Sequence, residues 1–152
     1  MLKKIILISF VSLLFSGCAS VPMESPEVAN KAKEFNAPTE GKSGLYIYRA
    51  GGPGTALKKD ILVNGECVGE SAPNVFFYHE VDGDKEHKVS TESEFSPNDL
   101  MITTKSGINY FIEQYIKLGV FVGGANLKVV DENTGKAVVS NLGMAKKGNC
   151  SK

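Results

Sequence analysis

The sequence predicts an all-β protein: an antiparallel β-sandwich of about seven or eight strands, behind an export signal and a flexible tether, with room for short terminal helices. Three observations predict it. From Gly44 onward, short segments rich in Tyr, Ile, Val, Phe and Thr alternate with Gly, Asn and Asp turns. No amphipathic helix of about ten residues interrupts them, which disfavours parallel βαβ units. The segments span roughly 100 residues, enough for two sheets facing one core. The whole chain has 152 residues, 42% hydrophobic and 22% charged, the make-up of one globular domain.

The first element is an address. Lys3 and Lys4 precede an apolar run of about 11 residues, Ile5 to Phe15, broken only by Ser9 and Ser12. A membrane-spanning helix takes about 20 residues, so the run reads as a secretory leader. Phe15-Ser16-Gly17-Cys18 resembles the bacterial lipobox, with Phe15 in place of the usual aliphatic residue. That resemblance implies a diacylglycerol on the Cys18 thiol, cleavage after Gly17 and a further acyl chain on the freed amine. Each buried CH₂ contributes about 0.8 kcal/mol, so two or three chains hold a protein at the membrane. Ala19 and Ser20, rather than Asp, follow the cysteine. By resemblance to Gram-negative lipoproteins, this implies sorting to the outer membrane, on its periplasmic face.

Residues 18–43 follow as a lipidated tether, rich in Ser, Pro, Glu, Lys and Ala and too poor in large apolar residues for a core. Unstructured, it would reach about 25 to 30 Å. One local exception stands within it. Ser25 can cap a helix, Pro26 suits its first position, and Val28, Ala32 and Phe35 share a face before Asn36-Ala37-Pro38 stops the run.

The domain proper is expected over residues 44–148. Leu45 to Arg49 makes the first strand, and the Gly51-Gly52-Pro53-Gly54 loop follows. Ile61-Leu62-Val63 and Cys67-Val68-Gly69 flank Asn64-Gly65, a dipeptide that tolerates positive φ at both turn positions and favours a tight type I′ hairpin. Val75 to Val81 and His87 to Glu92 predict a second hairpin across Asp82-Gly83-Asp84. Leu100 to Thr104 and Tyr110 to Ile116 predict a third across Lys105-Ser106-Gly107. Leu127 to Val130 is the next strand and ends in the turn signal Asp131 to Gly135. Ala137 to Lys147 fits either a terminal helix or a last strand.

Lys and Arg number 17, as do Asp and Glu. Without Lys3 and Lys4 the mature chain is slightly acidic, which excludes a field that recruits nucleic acid. With Cys18 lipidated, Cys67 and Cys150 remain in a compartment that oxidises thiols. Either they pair, closing a loop of about 84 residues, or Cys67 is a small buried hydrophobe and Cys150 an unpaired thiol on a frayed tail.

A metal site would have to use His79 and His87, the two histidines, among Glu80, Asp82, Asp84 and Glu86. A three-residue hairpin loop would set the two rings opposite each other, with Cβ atoms about 5 Å apart. A four-residue loop would turn them to opposite sides. Two nitrogen ligands fall short of the four that a structural zinc takes, so solvated side chains at a hairpin tip are the plainer reading. Cofactors are not expected. Gly-x-Ser-x-Gly, His-Glu-x-x-His, Gly-x-x-x-x-Gly-Lys and Cys-x-x-Cys are all missing from the sequence, and no catalytic residues are assigned.

Leu118, Val120, Phe121 and Val122 stand on a glycine-flanked segment between two strands. Projecting, they form a partner surface; continuing the strand, they cap the core. Tyr46 and Tyr48 pose the same choice between cross-strand packing and an exposed stacking platform.

Taken in succession, Gly44 to Arg49, Val63 to Glu70, Phe77 to Val81, and Lys117 to Gly123 leading to Leu127 to Asp131 resemble the bacterial lipoproteins of domain-of-unknown-function family 2846. The resemblance implies a β-sandwich akin to PEGA and transthyretin-like modules. It assigns no catalytic residue. A Pro-Gly turn common in that family is replaced here by Asp82 to Glu86 before His87. The function expected is that of a non-enzymatic binding or accessory module of the cell envelope, membrane-bound through its lipid and serving an envelope protein. The alternative is a metal or small-ligand sensor at His79 and His87.

Overall fold

The computed structural model describes residues 19–151. The signal peptide and Cys18 lie outside the described residues. Nine strands form two sheets: β1 (Lys42–Arg49), β2 (Lys59–Val63), β3 (Glu66–Ser71), β4 (Val75–Asp82), β5 (Glu86–Thr91), β6 (Asn98–Thr103), β7 (Asn109–Lys117), β8 (Gly124–Val130) and β9 (Gly143–Met144). A five-stranded sheet runs β8-β7-β1-β4-β9 and a four-stranded sheet β3-β2-β5-β6. Two short helices, α1 (Pro26–Ala32) and α2 (Glu132–Val139), complete the described residues.

The Asn64-Gly65 turn forms as expected. Both residues have positive φ, 53° and 85°, and Val63 pairs with Glu66 across the turn. The other two expected hairpins do not form. β4 and β5 lie in different sheets, as do β6 and β7. The reason is that both edges of β4 are taken, by β1 along its whole length and by β9 at its start. Asp82-Gly83-Asp84 therefore crosses between sheets, and Lys105-Ser106-Gly107 crosses back beside it. Gly83 is required by that approach: a Cβ there would stand 2.7 Å from the Ser106 backbone nitrogen. Because β7 enters from the end where β1 begins, the two pair in parallel, Gly44 opposite Asn109. The sheet is thus mixed rather than purely antiparallel.

The two faces of β1 belong to two cores. Leu45 and Ile47 point between the sheets, packing with Phe77, Ile112, Val63 and Val89. Tyr46 and Tyr48 point to the outer face, where Phe76, Phe111, Leu142 and Met144 join them. An exposed stacking platform is therefore ruled out: both tyrosines are buried, beneath the segments carrying α1 and α2. Tyr46 stacks on Phe111 with ring centroids 5.0 Å apart, and its hydroxyl donates to the Ala32 carbonyl at 2.8 Å.

α1 starts where the sequence places it. Ser25 is the N-cap, Pro26 stands in the first turn, and Phe35 packs on Tyr46. The tether, however, is not loose. Ala19 donates its N–H to the Thr55 carbonyl, Glu24 to Met144, and Lys146 donates back to Pro22, so residues 19–24 lie along the domain. These backbone bonds, invisible to a compositional reading, supply the order that the segment's apolar content alone does not. α2 and β9 divide the ambiguous C-terminal stretch between them. Asp131, read as part of a turn, is the α2 N-cap and accepts from the Thr134 N–H at 3.0 Å.

Candidate functional site

Three places carry the candidate residues: the Asn64 end of the sandwich, the groove under α1, and the opposite, loop-bearing end.

At the first, His79 and His87 reach one shallow pocket of about 270 Å³ with Asn64, Glu66 and Asp82. They come from different sheets, so neither predicted hairpin register applies. His87 is buried and both ring nitrogens are used. Nε2 lies 2.8 Å from the Asp82 carbonyl, which can only accept, so Nε2 carries the proton. Nδ1 then accepts from the Asn64 side-chain amide at 2.9 Å, while Asn64 Oδ1 takes the Lys88 N–H. The ring is a strut between the turn and the crossover, and ligating a metal would break one of these bonds. His79 is half-buried. Desolvation pushes its pKa below the ordinary histidine value, with Lys147 adding to the effect. Among the described residues, no group of three or more His, Cys, Asp or Glu is placed to hold a metal ion.

Asp82 fastens the same corner. Its carboxylate sits 2.7 Å from both Lys42 Nζ and Lys85 Nζ, and these hydrogen bonds lower its pKa to about 2. A depressed carboxyl contributes stability above its ordinary pKa of 3.8, lost as pH falls through about 2. Asp82→Asn should therefore remove that acid-side increment. Thermal unfolding of the two proteins between pH 5 and 2 should converge at the acid end, and high salt should shrink the gap, since the groups are exposed.

The second place is an apolar groove of about 480 Å³ between α1 and the outer sheet face, floored by Tyr46, Tyr78 and Met144 and walled by Val28, Ala32 and Ala37. Glu80 secures its rim, accepting from the Tyr78 hydroxyl at 2.8 Å and the Thr39 N–H at 3.1 Å. Sequence reading missed this groove because it exists only once α1 docks.

The third place is the most exposed. The β7–β8 connection projects from the sandwich with Leu118 97%, Val120 75%, Phe121 84% and Val122 56% exposed. The expectation that these side chains cap the core is overturned: β7 ends at Lys117 and β8 resumes at Gly124. Glu94, from the β5–β6 loop, braces the projection. Its carboxylate accepts the N–H groups of Val120 at 2.6 Å, Phe121, and Val122 at 3.3 Å. Desolvation pulls the Glu94 pKa upward, but these three donors together outweigh it and leave the carboxyl below its ordinary value. Beside Glu94, Phe95 is 76% exposed. No sequence motif singled out Glu94.

The cysteines are brought together. Cys67 on β3 and Cys150 in the tail form a disulfide with Cα atoms 6.1 Å apart, across a sequence separation of 83. The tail runs beside β3: Gly148 donates to the Val68 carbonyl and Glu70 to that of Asn149. Ser151 then closes on the buried Asp60, giving it a hydroxyl at 2.8 Å and its N–H at 3.0 Å.

The model of a family described as "Protein of unknown function (DUF2846)" matches residues 39–125. An uncharacterized protein of Haemophilus influenzae is 58% identical over 135 residues, covering 89% of this chain and 80% of that protein. No solved structure matches.

Proposed function

The chain belongs to the DUF2846 family, and from that premise we propose that it is a lipid-anchored lipoprotein on the periplasmic face of the outer membrane, working as a non-enzymatic binding or accessory module. The observation that carries the reading is the Cys67–Cys150 disulfide. Structural disulfides persist in oxidising compartments such as the periplasm, and this one stands in a chain whose charged, apolar N-terminal segment runs to Ser16-Gly17, just before Cys18. The two-sheet sandwich supports kinship with PEGA and transthyretin-like modules. The sensor reading gains no support from His87, whose two nitrogens are already engaged.

Intact-mass analysis of the protein purified from membranes tests the anchor. The expected species begins at Cys18 and carries a diacylglyceryl group with an added acyl chain, and it sediments with the outer membrane. Cys18→Ser should abolish both. In-cell crosslinking of the lipidated form should then yield a discrete envelope partner that the variant does not capture. An unmodified N-terminus or a chain free in the soluble fraction overturns the anchor, and a lipidated protein without a partner overturns the accessory role.

A further inference from the structure

We propose that the apolar loop end of the sandwich rests in the surface of the bilayer to which the chain is anchored, so that the domain is held in a defined orientation. The proposal rests on the lipoprotein reading above and adds to it the face presented to lipid.

Ala19 donates its N–H to Thr55 at 2.9 Å, and Thr55 belongs to the loop between β1 and β2. That loop packs on the base of the apolar projection: Leu57 Cδ1 lies 2.7 Å from where a Cβ of Gly123 would stand, and Ile116 3.1 Å from that of Gly54. Ala19, the first described residue, therefore lies at the end that carries Val120 and Phe121. With residues 19–24 bonded along the domain, an acyl anchor on the preceding residue brings this end to the lipid with no slack tether between.

The exposed side chains at this end also fit a lipid surface chemically. Large apolar side chains exposed on two adjacent loops, Phe95 on one and the Leu118–Val122 group on the other, suit an interface that takes apolar side chains a few ångströms deep. Backbone donors entering an apolar medium must already be bonded, and Glu94 satisfies three of them in the projecting loop. The charged Glu94 limits the depth to the headgroup level. Lys117, exposed at the base of the projection, suits anionic headgroups there.

The chain contains no tryptophan, so Phe121→Trp gives a unique reporter at a site where the side chain is mostly in solvent. Lys105→Trp, on the crossover at the opposite end, is the control. Each full-length protein is purified from membranes and reconstituted into vesicles of phosphatidylethanolamine and phosphatidylglycerol, with brominated acyl chains as the quencher from within and iodide as the quencher from water. For Phe121→Trp we expect blue-shifted emission, several-fold stronger quenching by brominated lipid than for Lys105→Trp, and protection from iodide. Equal quenching of the two by iodide overturns the proposal. So does protection of Phe121→Trp from both quenchers, which would mean a protein or a second copy covers the loop. Intact mass on the same samples separates the two readings. A lipidated chain with unquenched Phe121→Trp keeps the anchor and loses the orientation. If Cys18 carries no lipid the anchor fails, and flotation of the free protein with the same vesicles decides insertion: quenched with the vesicles supports it, and free in solution overturns it.

Discussion

Cys67→Ser should destabilise the domain by about 4 to 5 kcal/mol. The bond closes a loop spanning a sequence separation of 83, and cross-linking so long a loop removes much of the unfolded chain's freedom. Native contacts add to this, because the disulfide holds the tail in place. Without it, the bonds from Gly148 to Val68 and from Glu70 to Asn149 fray, Asp60 loses Ser151 and keeps a buried carboxylate without those donors, and the outer edge of β3 opens. For a domain of this size the midpoint of thermal unfolding should fall by on the order of 15 °C. The measurement is thermal unfolding with and without reductant. Reduced wild type should match Cys67→Ser, which itself should ignore the reductant. A fall of less than about 1 kcal/mol would mean the reduced ensemble is already as constrained as the bridged one.

The sequence made some elements legible because their signals are local. Asn64-Gly65 favours a tight turn, and Ser25-Pro26 supplies a cap and a first-turn proline ahead of Val28 and Ala32; both depend on residues a few positions apart. The crossovers were misread for the same reason. Asp82-Gly83-Asp84 reports a sharp reversal, but which strand lies beside β4 is decided by competition between β1, β5 and β9 for its edges, which no single turn encodes. The outer core was hidden likewise. Tyr46 and Tyr48 alternate with Leu45 and Ile47 as a half-exposed strand would, and only the docking of α1 and α2 makes both faces interior. Of the candidate sites, Leu118 to Val122 were visible by their apolarity between glycines. Their projection was not, since it depends on Glu94, a loop carboxylate some 26 residues upstream of Val120.

Arg49→Met should cost about 2 to 4 kcal/mol and loosen the loop that ties down the start of the described chain. The Arg49 guanidinium is buried, and desolvation lowers its pKa. It donates to the Leu57 carbonyl at 2.7 Å and to that of Gly54 at 2.6 Å. Hydrogen bonds from a charged donor contribute roughly 1.5 to 3 kcal/mol each and are not additive. Methionine fills much of the volume but takes the charged donor from both carbonyls, leaving that of Gly54 with the Leu57 N–H alone, and lysine cannot span the two in a planar fork, so Arg49→Lys should recover only part of the loss. Thr55 lies between those carbonyls and accepts from Ala19. The substitution should therefore speed hydrogen exchange at the Ala19 amide more than at Ile47 or Ile112 in the core. Denaturant unfolding gives the global term and amide exchange the local one. Uniform acceleration at all three amides would make Arg49 a general core residue; selective acceleration at Ala19 would identify it as the residue that couples the sandwich to the start of the described chain.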